Sequence, residues 1–219
     1  DITITITDVA PTVTDTSASI GEDSSNSDSV VTVTTSGDTS GLTWSITNGN
    51  TNGDGDGNLP FAINSGTGAI TVNDADDLDF ETTTSYTLTV QATDGTTADT
   101  EDITITITDV APTVTDTSAN LAETAAANAA VVTVSTTGDD DGLTWSITAG
   151  NTDGDSDGEL PFAIGASTGA ITVNDADDLD FETTTSYTLT VRATDGTAAD
   201  TEDITITITD VAPTVTDTS

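Results

Sequence analysis

Carboxylates are the residues of this chain with chemistry to offer. Its 219 residues hold 39 Asp and Glu against one basic side chain, Arg192, with no His and no Cys, for a formal net charge of −38. The acids favour the loops between strand-like stretches. Counting strands along the chain brings Glu22, Asp79, Glu81 and Asp109 to one end of a first domain. The turns holding Asp139, Asp140, Asp141 and Asp195 then fall at the facing end of a second. Carboxylates crowded at one seam repel and raise one another's pKa. A cation relieves that repulsion, and the donor type selects it. Calcium takes about six to eight oxygen ligands in flexible geometry, whereas zinc, copper and iron sites draw on His or Cys. An acidic surface that serves only solubility is the competing explanation.

The same composition excludes several classes of function. Nucleic acid is no partner, because a single Arg cannot neutralise a phosphate backbone, and direct contact with an anionic membrane fails for the same reason. Without Cys there is neither a disulfide nor thiol chemistry, which fits an exported protein that does not rely on oxidative folding. No apolar run reaches membrane-spanning length and no signal peptide is visible. His, Cys and Lys are missing as bases or nucleophiles, so the chain is not expected to be an enzyme. A chain this negative repels itself when compact unless a divalent metal or high salt intervenes.

The loops are positioned by a repeat. Asp-Ile-Thr-Ile-Thr-Ile-Thr-Asp-Val-Ala-Pro recurs every 101 residues, from Asp1 to Asp102 to Asp203. Its Ile/Thr alternation has the period of a strand. Pro112 cannot donate to a sheet ladder and restricts Ala111 before it, so pairing should end there and a domain seam begin. Two domains are expected, at residues 11–111 and 112–212. Residues 1–10 read as the last strand of a preceding repeat and 213–219 as the first strand of a following one. Within the first domain, strands are expected at residues 12–20, 30–35, 42–47, 61–63, 69–72 and 86–92, and in the repeated stretch from Asp102. Trp44 is expected in the core. About seven short strands per hundred residues, with no helical period, predict an all-β fold: tandem seven-stranded antiparallel β-sandwiches with Ig-like Greek-key wiring, arranged end to end. The two copies differ mainly between residues 19–29 and 120–130, in a loop that tolerates change.

Three stretches resemble the cadherin family in its bacterial cadherin-like form: Thr67-Gly-Ala-Ile-Thr-Val72, Leu78-Asp-Phe-Glu81, and Ser85-Tyr-Thr-Leu-Thr-Val-Gln-Ala-Thr-Asp-Gly95. Ile20-Gly-Glu22 is similar to the family's first acidic ligand, and Asp109-Val-Ala-Pro112 resembles its interdomain linker. The resemblance implies calcium ligands at Glu22, Asp79, Glu81 and Asp109 from the first domain. Asp195 and an acid of the 139–141 turn (Asp139 or Asp140 among them) would come from the second. It implies Glu123, Asp180, Glu182 and Asp210 for the next seam downstream, and Asp8, Asp38 and Asp94 for the one upstream. The joint departs from the family pattern. It keeps only the first acid of Asp-x-Asn-Asp-Asn and is shorter, which implies domains packed closely end to end. The family's Asp-x-Asp turn aligns on Gly37-Asp-Thr39, with one acid.

A second acidic stretch, Asp153-Gly-Asp155-Ser-Asp157-Gly158, matches the first half of an EF-hand loop, with Asn52-Gly-Asp54-Gly-Asp56-Gly57 as its counterpart. Ile164 stands where the EF-hand's final Glu would be and no helices flank it, so the choice is between a calcium site of another kind and a solvated turn. Asp74, Asp76 and Asp77 leave the same choice, metal ligands or a solvated acidic loop, with the solvated loop favoured. The resemblance as a whole implies a calcium-stiffened repeat in the stalk of a giant repetitive adhesin at the cell surface, outside the cell. Its partners would be the neighbouring repeats of the same chain, through calcium-bridged joints. The alternatives are a self-assembling extracellular filament or sheath, suggested by exposed threonine faces and associating laterally, and a halophile's surface protein whose acids serve solvation in brine.

Overall fold

The Ile/Thr alternation becomes a strand only where a sheet receives it. The structure, a computed structural model, describes residues 1–214, so most of the expected strand at 213–219 lies outside the described residues. The chain divides into two compact units, Asp1–Val110 and Ala111–Ser219, and the division falls inside the Asp109–Pro112 stretch. In the first unit, Ile103, Ile105 and Ile107 are fully buried. Ile2, Ile4 and Ile6 carry the same sequence, form no strand, and are 93%, 82% and 92% exposed. Alternation supplies an apolar face, but pairing and packing supply the stability.

The strands of the first unit are β1 (Pro11–Val13), β2 (Ala18–Gly21), β3 (Ser29–Thr32), β4 (Thr35–Gly37), β5 (Thr43–Asn48), β6 (Phe61–Ile63), β7 (Ala69–Val72), β8 (Ser85–Thr93) and β9 (Ala98–Thr108). One sheet has the order β2-β9-β8-β5. Facing it is β3-β7-β6, and β1 pairs with β4. The second unit repeats this with β10 (Thr113–Val114), β11 (Ser118–Ala122), β12 (Ala130–Thr133), β13 (Thr136–Thr137), β14 (Thr144–Ala149), β15 (Phe162–Ile164), β16 (Ala170–Val173), β17 (Ser186–Thr194) and β18 (Ala199–Thr209). Its sheets are β11-β18-β17-β14 and β12-β16-β15, with β10 on β13. No helix occurs among the described residues.

The core of each unit lies between its sheets. In the first, Tyr86, Leu88, Val90 and Ala92 of β8 join the β9 isoleucines, Ile70, Val72, Phe61 and Trp44. Phe61 and Tyr86 meet edge to face, with centroids 5.2 Å apart at 82°. Phe162 and Tyr187 do the same in the second unit.

Three features differ from the sequence expectation. The strand expected at 12–20 is two strands: β1 pairs antiparallel with β4, and β2 pairs parallel with β9. The chain crosses between layers at Thr14–Ser17, so each half finds its own partner. The strand expected at 30–35 splits in the same way into β3 and β4, because β4 must reach β1. Finally, acids do enter strands. β9 begins at Ala98 and includes Asp99, Glu101 and Asp102. Asp99 Oδ2 accepts from Val13 N at 2.8 Å, which seats β1, and Asp102 Oδ1 accepts from Thr89 Oγ1 at 2.8 Å.

The alternation on β8 makes a direct prediction. Leu88→Ala should destabilise the first unit by about 2–5 kcal/mol, the cost of a fully buried large-to-small change. Thr87→Ala, on the outer face, should stay within about 0.5 kcal/mol. Urea unfolding of both variants checks this.

Candidate metal centres

The parallel pairing gathers the acids at one end of each sandwich. Gly21 pairs with Thr108, so the next residues, Glu22 and Asp109, leave their strands side by side. In the second unit Ala122 pairs with Thr209, which sets Glu123 beside Asp210. β8 starts at this same end, since Ser85 pairs with Thr106, and the loop before it delivers Glu81. An all-antiparallel arrangement would send Glu22 and Asp109 to opposite ends.

Glu22, 8% exposed, is a clamp as well as a charge. Its Oε1 accepts from Val110 N and its Oε2 from Phe80 N, both at 2.7 Å, tying the outgoing chain to the loop before β8. Glu123 repeats this with Val211 N at 2.7 Å and Phe181 N at 3.1 Å. Carboxylate oxygens of Glu22 and Glu81, and of Glu81 and Asp109, lie within 4.8 Å of each other. In the second unit, oxygens of Glu123, Glu182 and Asp210 all lie within that distance of one another. The Glu182 backbone N–H pulls its carboxyl down, but hydrogen bonding with Asp180 and the charge of Glu123 outweigh it and raise the pKa. Asp79 and Asp180 are partly engaged in turns: Asp79 Oδ1 accepts from Thr82 N, and Asp180 Oδ1 from Glu182 N, both at 3.0 Å.

The opposite end of the first unit holds a second set. β1 begins and β4 ends there, as Pro11 pairs with Gly37, and β8 turns into β9. Oxygens of Asp8, Asp38 and Asp94 lie within 4.8 Å of one another. Asp94 accepts at Oδ1 from Thr97 N at 2.8 Å and Thr96 N at 2.7 Å, and these donors hold its carboxyl far below the ordinary range. Thr96 Oγ1 lies 2.7 Å from Asp8 Oδ2. In the second unit, Asp139 and Asp195 are buried and Asp140 is exposed. Asp139 Oδ1 accepts from Asp141 N at 3.1 Å. Burial pushes Asp195 up, but the N–H groups of Ala198 and Thr197 outweigh it and lower the pKa. Asp195 Oδ2 is buried without a hydrogen-bond partner.

The loop between β5 and β6, and its counterpart between β14 and β15, are wound by their own acids. Asp54 Oδ1 accepts from Asp56 N at 2.9 Å, and Asp155 Oδ1 from Asp157 N at 3.0 Å. Asp153 accepts from Ser156 N and Gly158 N, so both of its oxygens already hold the turn. Asp74 and Asp77, expected to be solvated, are 6% and 4% exposed. The adjacent Leu78, 3% exposed, enters the core and draws them in, and Tyr86 hydroxyl donates to Asp77 O at 2.6 Å. The apolar Leu78 amid a run of acids was the signal for this.

The donor set at the strand ends suits a hard cation: carboxylates of both repeats stand in groups, and Arg192 is the chain's one basic side chain. The Cadherin domain family profile matches residues 16–108 and 117–209. Among solved structures, the chain is similar to Drosophila N-cadherin EC1-3, at 21% identity over 92% of this chain and 68% of that one, with TM-score 0.43. It is similar to mouse cadherin-23 EC22-24 at 21% identity, 93% and 68% coverage and TM-score 0.42. Human protocadherin-24 EC1-2 gives 20% identity, 92% and 98% coverage and TM-score 0.43. No curated protein sequence matches.

Asp94 predicts a pH dependence. Its folded pKa lies below the ordinary 3.8, so the stability it contributes is present above 3.8 and is lost as pH falls below that value toward the folded one. The stability gap between the parent chain and Asp94→Asn should therefore shrink as pH drops below 3.8. Thermal melts from neutral to strongly acidic pH check it.

Proposed function

The chain belongs to the cadherin family, and from that premise we propose that its repeats are calcium-stiffened units of an extended rod or stalk in an extracellular surface adhesin. Cadherin domains are adhesion and structural modules, and here they stand in tandem. The observation that carries the proposal is the trio Glu123, Glu182 and Asp210, whose oxygens lie within 4.8 Å of one another in a chain with one basic side chain.

In this role the strands set the distances and the carboxylates set the charge. Glu22, Glu81 and Asp109 would hold an ion where the first repeat ends, and Glu123, Glu182 and Asp210 where the second ends. Asp8, Asp38 and Asp94, with Asp139 and Asp195 in the second repeat, would serve from the opposite ends. Asp79 and Asp180 reinforce the turns that present Glu81 and Glu182. A bound calcium ion supplies the positive charge that these groups lack. Glu22 and Glu123, hydrogen-bonded to Val110 N and Val211 N, hold the departing chain in place, so that ordering the carboxylates also orders the joint. Adjacent repeats are proposed to share the ions at each joint.

A ligand that binds only the folded state stabilises it by mass action, by about 2.7 kcal/mol at a hundredfold excess over Kd. Unfolding free energy should thus rise with calcium concentration, and Glu22→Gln with Glu123→Gln should flatten that rise. Potassium chloride at equal ionic strength should not reproduce it. An equal gain with potassium chloride would assign the acids to solvation in brine and contradict the proposal.

A further inference from the structure

Each repeat carries a second acidic constellation, outside the strand-end trios. We propose that it binds one divalent cation of calcium type, held by Asp54, Asp56 and Asp74 in the first repeat and by Asp155, Asp157 and Asp175 in the second. Oxygens of Asp54, Asp56 and Asp74 lie within 4.8 Å of one another. Asp54 and Asp56 are exposed on the β5–β6 loop, whereas Asp74 is 6% exposed on the segment after β7.

Buried, bare oxygens point to a ligand here. Asp74 Oδ2 and Asp77 Oδ2 are both buried with no hydrogen-bond partner, and so are Asp175 Oδ2 and Asp178 Oδ2. The other oxygens are used. Asp77 Oδ1 accepts from Gly53 N and Asp54 N, and Asp178 Oδ1 from Gly154 N and Asp155 N. Asp175 Oδ1 accepts from Asp177 N at 3.0 Å. Residues 11–111 contain no Lys, Arg or His, so no side chain of the first repeat can neutralise these charges. Leaving a buried carboxylate unpaired is costly. Burial, together with the charges of Asp56, Asp77 and Asp54, raises the Asp74 pKa against the lowering effect of the Asp76 N–H.

The backbone is shaped for this approach. A Cβ on Gly53 would stand 3.2 Å from Asp77 Oδ1, and one on Gly154 2.9 Å from Asp178 Oδ1, so glycine lets the loop press against the buried acid. Beside the loop is a cleft of about 180 Å³ lined by Asp54, Asp76, Asp77, Asp79 and Thr82. Its counterpart in the second repeat is about 230 Å³. The donors are oxygen alone and the loop acids reach solvent, which suits an exchangeable calcium site with Kd of roughly 10⁻⁴–10⁻³ M, the range of extracellular modules. A bound ion would fasten the β5–β6 loop to the segment that carries Asp79 and Glu81.

The proposal does not depend on the strand-end sites, and the test separates the two. Calcium is titrated calorimetrically into the chelator-stripped full chain. Asp54→Asn with Asp155→Asn should lose two calcium equivalents per chain. Glu22→Gln with Glu123→Gln should keep those two, with calcium still shifting the amide resonances of Gly53, Asp54, Gly154 and Asp155. Should the first pair fail to fold, as read by circular dichroism in chelator, Asp56→Asn with Asp157→Asn removes exposed turn acids and should lose the same two equivalents. Unchanged stoichiometry in the loop variants, or loop amides that respond to acidification and not to calcium, would overturn the site.

Discussion

Like charge crowds where the strands end, and one basic side chain in 219 residues cannot neutralise it. The strands create the crowding. β2 and β11 run parallel to β9 and β18, so that in each repeat a Glu and an Asp leave adjacent strands at the same end. The loop before β8 or β17 then adds a third carboxylate. A hydrophobic core of ordinary composition thus holds acids close together, and the energy of that packing opposes their repulsion. The same tension recurs inside each repeat, where Leu78 and Leu179 enter the core and carry Asp77 and Asp178 with them.

The carboxylates divide into two kinds by what they already hold. Some are structural: Asp99 and Asp200 seat β1 and β10 through the N–H groups of Val13 and Val114. Asp94 caps its turn through the N–H groups of Thr96 and Thr97 and the Thr97 hydroxyl, and it also stands in one group with Asp8 and Asp38. Others, such as Glu22 and Glu123, accept a backbone N–H at each oxygen while standing among further carboxylates. Under the proposed function, this double use would couple the geometry of the departing chain to ion binding. The carboxylates that would bind the ion also position the chain entering the next repeat.

Much of the sandwich was readable from the alternation of Ile103 to Thr108 and Tyr86 to Ala92, because period two marks the apolar face that a sheet can bury. The partner of a strand is not written in its own pattern. Residues 12–20 alternate well enough to read as one strand, yet they split between two sheets. Only the neighbours β4 and β9 decide where the break falls. For the site, the acids at strand ends followed from counting strands and from the family resemblance. The burial of Asp74 and Asp77 did not, because a run of acids looks solvated until the packing of Leu78 and Tyr86 is known. The identical stretches at Asp1 and Asp102 show the limit most clearly, one exposed and the other at the centre of a sheet.

Small-angle scattering of the two-repeat chain, in chelator and then in calcium, tests the central claim most directly. Stiffening by calcium predicts that the maximum dimension lengthens and the profile becomes that of a rigid, extended particle, at unchanged molecular mass. Superimposable profiles in the two conditions would contradict it.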